Sequence, residues 1–250
     1  MTNYNNSGKA FYLGHWEGDW LLLPNYNTAT NPTSTAIQGM IDWLNVRQRA
    51  VDDSGRDTPH TNVFVYVYTE ANRVRDAMNN PANSNQRVIN AVVPQVTNLD
   101  YVSWSSYDGQ NLNDAELYST LDYMQSMLPT NKAKAISGKR VFVGEYGWGG
   151  PLKPEQQELP TRNYLQRLMK WDCPFALFWE LYDNETNRNY CLIDSNNVKT
   201  ACYYLHQRYI NQARLLVSRF KQDHARLPTA TEFTALILPT LNQPFPAPAR

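Results

Sequence analysis

Hydrophobic residues are concentrated in five short runs, and segments of helical periodicity separate these runs. The runs cover residues 9–16, 62–68, 100–105, 140–144 and 175–179. The second, fourth and fifth runs are almost wholly apolar and rich in β-branched or aromatic residues, which is typical of strands buried on both faces of a parallel sheet. We therefore predict five parallel β-strands.

Apolar residues recur at helical spacing after every one of these runs. The periodic segments begin near Ile37, Val88, Leu117, Tyr164 and Val198, and a further one begins near Thr229. Strands that alternate with helices indicate βα units joined into a parallel sheet. The pattern predicts an α/β fold, a partial (β/α) TIM-type barrel with about five parallel strands and extra C-terminal helices.

Domain limits follow from the same pattern. Residues 1–227 are expected to form the partial-barrel catalytic domain. Residues 228–250, a helix and a Pro-rich tail, are expected to pack on that domain or on a neighbouring subunit. The first predicted strand begins close to Met1. From this we expect a partial barrel, rather than a barrel whose first part was missed in the sequence.

Charge and composition narrow the class of function. Lys+Arg and Asp+Glu are equal at 23 each, so the chain has no electrostatic footprint for nucleic acid or an anionic membrane. The 3 Cys lack the CxxC spacing of a zinc site, and we expect no metal and no cofactor. We see no signal peptide, and localisation stays open between the cytoplasm and a trimmed secreted or periplasmic protein. The 7 Trp and 16 Tyr favour sugar binding.

Carboxylates and aromatic residues follow all of the predicted strands, where parallel α/β folds place their chemistry. A pair of carboxylates suits glycoside hydrolysis, because one protonates the leaving oxygen and the other attacks the anomeric carbon or activates water. In chain order the residues are Glu17, Asp19, Glu70, Asn72, Tyr107, Asp108, Glu145, Trp148, Trp179, Glu180, Asp183 and Asn184.

Several of these segments resemble a known family. The sequence VFVGEYG at 141–147 resembles the seventh-strand nucleophile motif of the clan A glycoside hydrolases, which include the family 5 retaining β-glycosidases. The sequence FALFWELYDNE at 175–185 resembles their eighth strand, and SSYDG at 105–109 resembles their sixth. The resemblance implies that this chain matches only the fourth to eighth βα units of such a barrel.

The resemblance also implies roles for individual residues. Glu145 would be the nucleophile, and Glu17, at the end of the strand that corresponds to the fourth, would be the acid/base. The clan usually places Asn before the acid/base; Trp16 stands there in this chain, and His15 would take over the bond to the sugar 2-hydroxyl. The remaining expected substrate contacts are Trp16, Asp19, Glu70, Asn72, Tyr107, Trp148 and Trp179, with Tyr107 also hydrogen-bonding Glu145.

Alternatives remain open at this stage. Glu70 is the competing acid/base, or a carboxylate that pairs with Arg73 or Arg75. An inverting hydrolase would use Glu70 with Glu145, and a protein of another class would be a non-catalytic carbohydrate-binding or scaffold remnant of a hydrolase.

Five strands do not close an eight-stranded barrel, so we expect a homo-oligomer that covers the open edges. The sugar, the linkage and exo or endo action are left undecided.

Overall fold

A computed structural model describes residues 1–79, 85–150, 152–182 and 188–242. The expected Pro-rich tail, from residue 243, and the rim residues Asp183 and Asn184 lie outside the described residues. The chain groups into two compact units, Met1–Gly144 and Glu145–Arg250, and each unit is described by itself.

Five parallel strands form one sheet, as the hydrophobic pattern predicted. They are β1 (Ala10–His15), β2 (Phe64–Ala71), β3 (Tyr101–Ser105), β4 (Val141–Tyr146) and β5 (Ala176–Phe178). They follow one another in chain order across the sheet, as successive βα units do. The fold class is confirmed as α/β, a five-stranded partial (β/α)-barrel type with helices after the strands.

In its described residues, the first unit holds the first three strands, the start of β4, and four α-helices. These helices are α1 (Gly18–Leu22), α2 (Ser34–Asp57), α3 (Val74–Met78) and α4 (Asp114–Met127). The predicted capping pair of α4 is present: the Glu116 backbone N–H donates to Asn113 Oδ1 over 3.0 Å, and the Asn113 backbone N–H donates to Glu116 Oε2 over 3.2 Å. The predicted helix around Val88 is only a short helical turn, Val88–Val92.

Strand register decides which polar residues meet at the carboxyl ends of β1 and β2. The two strands pair in parallel from Ala10 opposite Phe64 to His15 opposite Thr69. Val67 of β2 is wholly buried, which fits its place in an apolar run. As both strands end at the same edge, the residues that follow His15 come close to the last residues of β2.

The part of the second unit that the structure describes holds the end of β4, β5 and three α-helices: α5 (Glu158–Lys170), α6 (Ala201–His224) and α7 (Ala230–Ile237). The Trp179 backbone N–H donates to the Tyr146 carbonyl over 2.9 Å, which continues the pairing of β4 with β5. The extra C-terminal helices are therefore confirmed. Over the described residues, every helix falls short of the length and apolarity that crossing a membrane requires.

Candidate functional site at the carboxyl ends of the strands

Glu17 occupies a tight turn that joins β1 to α1. Its backbone adopts a left-handed conformation, with φ of 51°, and its N–H donates to Glu70 Oε2 over 2.7 Å. The next residue must be glycine, because a Cβ at Gly18 would collide with the Glu70 carbonyl oxygen. The early cluster of polar and aromatic residues after β1 is thus bound to the end of β2.

Asp19 is the residue that fixes this turn. It is fully buried, and its two carboxylate oxygens accept the backbone N–H groups of Asn72 (2.8 Å), Arg73 (2.9 Å) and Val88 (2.8 Å). Burial raises the pKa of Asp19, and the three backbone hydrogen bonds and the charge of Arg87 oppose that rise. These are the contacts of a structural carboxylate, and substrate binding by Asp19 stays a prediction.

Asn72 and His15 are held by the same pair of strands. Asn72 Oδ1 accepts the Asp19 backbone N–H over 3.2 Å, so Asp19 and Asn72 exchange hydrogen bonds. His15 Nδ1 lies 3.1 Å from Thr69 Oγ1. Burial, with a smaller contribution from the Arg47 charge, lowers the pKa of His15 to about 4, so the ring is neutral at pH 7 and is able to hydrogen-bond an uncharged hydroxyl.

Glu70 lies deeper than Glu17. Only 2% of Glu70 is exposed, and a Cβ built on Gly144 would lie 3.2 Å from its Oε1 and 3.0 Å from Ser103 Oγ. Glu17, by contrast, is partly exposed. Sequence reasoning missed Ser103, a buried hydroxyl to which the described residues offer no hydrogen-bond partner. The sequence signal that could have identified Ser103 is a small hydroxyl residue at a buried strand position.

The two arginines that were considered as partners of Glu70 make strong contacts elsewhere. Arg73 forms a two-pronged ion pair with Asp76, at 2.8 and 2.9 Å. Arg75 Nη1 donates to Thr120 Oγ1 over 2.9 Å. The guanidinium groups are therefore used to fix α3 and its junction with α4.

Tyr107 and Asp108 follow β3. The tyrosine is 37% exposed, while Asp108 accepts the Trp104 indole N–H over 2.9 Å and the Arg75 backbone N–H over 3.0 Å. Burial raises the pKa of Asp108 to about 6, against the lowering effect of these two hydrogen bonds. Asp108 therefore titrates well above an ordinary aspartate.

In the second unit, Glu145 sits on β4 and is 8% exposed. Trp148, which follows it, is buried against Tyr164 at a ring-centroid distance of 5.6 Å. Trp179 is half-buried, and the Trp179–Glu180 peptide bond is cis. The predicted sugar contacts of the two tryptophans remain predictions, as does the bond from Tyr107 to Glu145.

His206, which the sequence gave no reason to select, makes a buried polar pair in the second unit. Its Nδ1 donates to the Cys202 carbonyl over 2.7 Å, so its Nε2 accepts the Tyr146 hydroxyl proton over 2.8 Å. Burial lowers the pKa of His206. Both ring nitrogens are used within α6 and β4, which is the arrangement of a structural histidine.

Comparison with protein-family models, with curated proteins and with solved structures gives no match to this chain. The resemblance to clan A therefore rests on the quoted motifs alone. Within the part of the chain that the structure describes, no group of three or more His, Cys, Asp or Glu residues is arranged to hold a metal ion.

Proposed function

We propose that this chain is a retaining β-glycosidase that acts on β-linked glucosides, galactosides or mannosides. The observation that carries the proposal is that three glutamates, Glu17, Glu70 and Glu145, stand at the carboxyl ends of parallel strands or directly after them. This is the edge at which (β/α) folds carry their catalytic groups. Paired carboxylates with aromatic neighbours suit the hydrolysis of glycosides.

The mechanism is a double displacement. The Glu145 carboxylate attacks the anomeric carbon, and Glu17 protonates the leaving oxygen as its bond to that carbon breaks. Glu17 then removes a proton from water, which attacks the same carbon and frees Glu145. Two inversions give net retention, and such enzymes hold the two carboxyls about 5 Å apart.

Aromatic and neutral polar groups complete the proposal on the substrate side. Trp16 is 55% exposed and Tyr107 is 37% exposed, so both rings have faces available to a pyranose. His15 is neutral at pH 7 because its pKa is about 4, and it therefore suits a sugar hydroxyl rather than an anion. Asn72, Trp148 and Trp179 are the further proposed contacts.

The first experiment is hydrolysis of a panel of p-nitrophenyl β-glycosides, with NMR of the first-formed anomer. We expect release of nitrophenol from at least one member and a β-product. An α-product would favour the inverting alternative with Glu70 and Glu145. Failure to hydrolyse any member, with sugar binding retained, would favour the non-catalytic remnant.

A matched pair of variants tests the nucleophile. Glu145→Gln should lower turnover at least ~10³-fold, because the amide does not form the glycosyl ester. Glu155→Gln, an exposed glutamate in the same unit, should leave turnover within about twofold. Near-normal turnover of Glu145→Gln would overturn the assignment.

We also propose that the chain forms a homo-oligomer. Strand β1 lies at one end of the sheet order, and an edge strand is a template for pairing with another chain. Apolar side chains beside it are exposed, with Leu13 at 43% and Trp43 at 45%. Light scattering should give a mass above 28.8 kDa at micromolar concentration, and a value of 28.8 kDa would contradict the proposal.

A further inference from the structure

We infer that Glu70 is a positioning residue, which holds the backbone of Glu17 in its productive conformation and does not itself donate the proton. The inference rests on the proposed function, since it assigns a role within the same site. The sequence left Glu17 and Glu70 as competing candidates for the acid/base, and this inference assigns that role to Glu17.

The conformation of Glu17 needs an external restraint. A left-handed backbone costs a residue with a Cβ roughly 1–2 kcal/mol, and Glu17 adopts it with φ of 51°. The 2.7 Å hydrogen bond from its N–H to Glu70 Oε2 provides this restraint from outside the turn. An intramolecular hydrogen bond contributes roughly 0.5–1.5 kcal/mol, which is comparable to the conformational cost.

The position of Glu70 is itself built into the sheet. Its Oε1 faces the bare Cα of Gly144 on β4, where a Cβ would lie 3.2 Å from it and 3.0 Å from Ser103 Oγ of β3. Gly144 therefore leaves the room that the carboxylate occupies. Glu70 is thus a buried carboxylate of β2 that is packed close to Gly144 of β4, and from there it supports the turn after β1.

Burial distinguishes the two glutamates as proton donors. A general acid has to reach the leaving oxygen and recover its proton during every cycle. Glu17 is partly exposed, whereas Glu70 is 2% exposed and one of its oxygens is already bonded to the Glu17 N–H.

Azide separates the two roles chemically. Without the base, azide attacks the anomeric carbon of the glycosyl–enzyme, forms a C–N bond and displaces the Glu145 carboxylate, which yields a β-glycosyl azide. Glu17→Ala should be accelerated by azide and should make this product. Glu70→Ala should lose ~10–10²-fold in turnover of p-nitrophenyl glycosides through misplacement of Glu17, and it should make no glycosyl azide.

Glu70→Gln is the conservative control, because its amide oxygen still accepts the Glu17 N–H. It should recover most of the turnover that Glu70→Ala loses, and it also serves if the alanine variant does not fold. Formation of glycosyl azide by either Glu70 variant, or equal losses in the Gln and Ala variants, would overturn the inference. A wild-type chain inactive on the whole panel would instead refute the proposed function.

Discussion

Asp100 and Glu70 are two buried carboxylates of the first unit, and they lie near opposite ends of the strands. Asp100, just before β3, accepts the Val67 backbone N–H (2.8 Å), the Gln48 amide (3.1 Å) and the Asn131 amide (2.7 Å), and it pairs with Lys134. Glu70, near the end of β2, accepts a hydrogen bond from the backbone N–H of Glu17.

The difference lies in what each carboxylate holds. Asp100 shares Lys134 with Asp52 and joins α2, β2 and the segment before β4, so its removal should affect the whole unit. Glu70 holds one turn, in which Glu17 stands. In (β/α) folds the amino ends of the strands serve stability and the carboxyl ends serve chemistry. The same residue class is thus expected to give different phenotypes at the two ends.

The largest expected effect is on activity at the carboxyl end. Glu17→Gln should lower turnover of p-nitrophenyl glycosides by ~10²–10⁴-fold, because the amide neither donates nor accepts the catalytic proton. The free energy of unfolding should change by less than ~1 kcal/mol, because the backbone bond to Glu70 is unaltered. Steady-state kinetics measure the turnover, and urea unfolding measures the stability. A Glu17→Gln variant that is destabilised but has normal turnover would contradict the assignment of chemistry to the carboxyl end.

At the amino end the expected effect is on stability. Asp100→Ala should cost about 3–5 kcal/mol in the free energy of unfolding, since it leaves the buried Val67 N–H without its acceptor and leaves Lys134 with Asp52 alone of its two carboxylate partners. Denaturant unfolding measures this change. Asp122→Asn is the matched control, because its 3.2 Å pair with Lys139 is exposed and should contribute less than about 1 kcal/mol. Equal losses in the two variants would contradict the account.

The next effect is a pH dependence at His15. Its folded pKa of about 4 lies below the ordinary histidine value of 6.5, so the unfolded chain binds more protons than the folded chain between these pH values. Stability should therefore fall as pH drops from 6.5 to 4, by about 1–2 kcal/mol after allowing for partial hydration of the ring.

His15→Phe isolates this contribution, because it keeps an aromatic ring against Trp43 and removes the titration. Asp108 gives stability the opposite pH dependence. Its folded pKa of about 6 lies above the ordinary aspartate value of 3.8, so its contribution to stability is lost as pH rises from 3.8 to 6. Asp108 is present in both proteins, so its contribution cancels when the free energy of unfolding of His15→Phe is subtracted from that of the wild type at each pH. A difference that does not vary with pH would refute the His15 assignment.

The smallest effect tests whether every residue at the carboxyl end matters for chemistry. Asn113 caps α4 after β3, and Asn113→Ala should cost about 1 kcal/mol of stability by removing the acceptor for the Glu116 N–H. Turnover at a temperature where the variant is folded should be unchanged. A loss of turnover at that temperature would show that a helix cap at the carboxyl end also affects the chemistry, against this account.

The sequence was a good guide to the strands and a poorer one to their polar contacts. The β-runs lie within a few residues of the observed strands, because buried parallel strands leave an apolar signature that is local in the chain. The helix starting near Asn113 was predicted for a similar reason, since its capping residues are three positions apart.

The polar contacts depend on residues far apart in the chain. Asp19 accepts from Val88, 69 positions away, and Glu17 donates to Glu70, 53 positions away. Neither distance leaves a local pattern, so Asp19 was predicted as a substrate contact and the helical turn α1 went unnoticed. Glu145 and Glu17 were selected by resemblance and by strand-end position, and their catalytic roles stay predictions.

Covalent trapping tests the central claim most directly. The chain would be incubated with 2,4-dinitrophenyl 2-deoxy-2-fluoro-β-glycosides of the gluco, galacto and manno series, and then digested for peptide mass spectrometry. The account predicts that one sugar forms a stable ester on Glu145, with release of one dinitrophenolate per labelled chain. A sugar ester on another residue, or hydrolysis of p-nitrophenyl glycosides without any trapped ester, would contradict it.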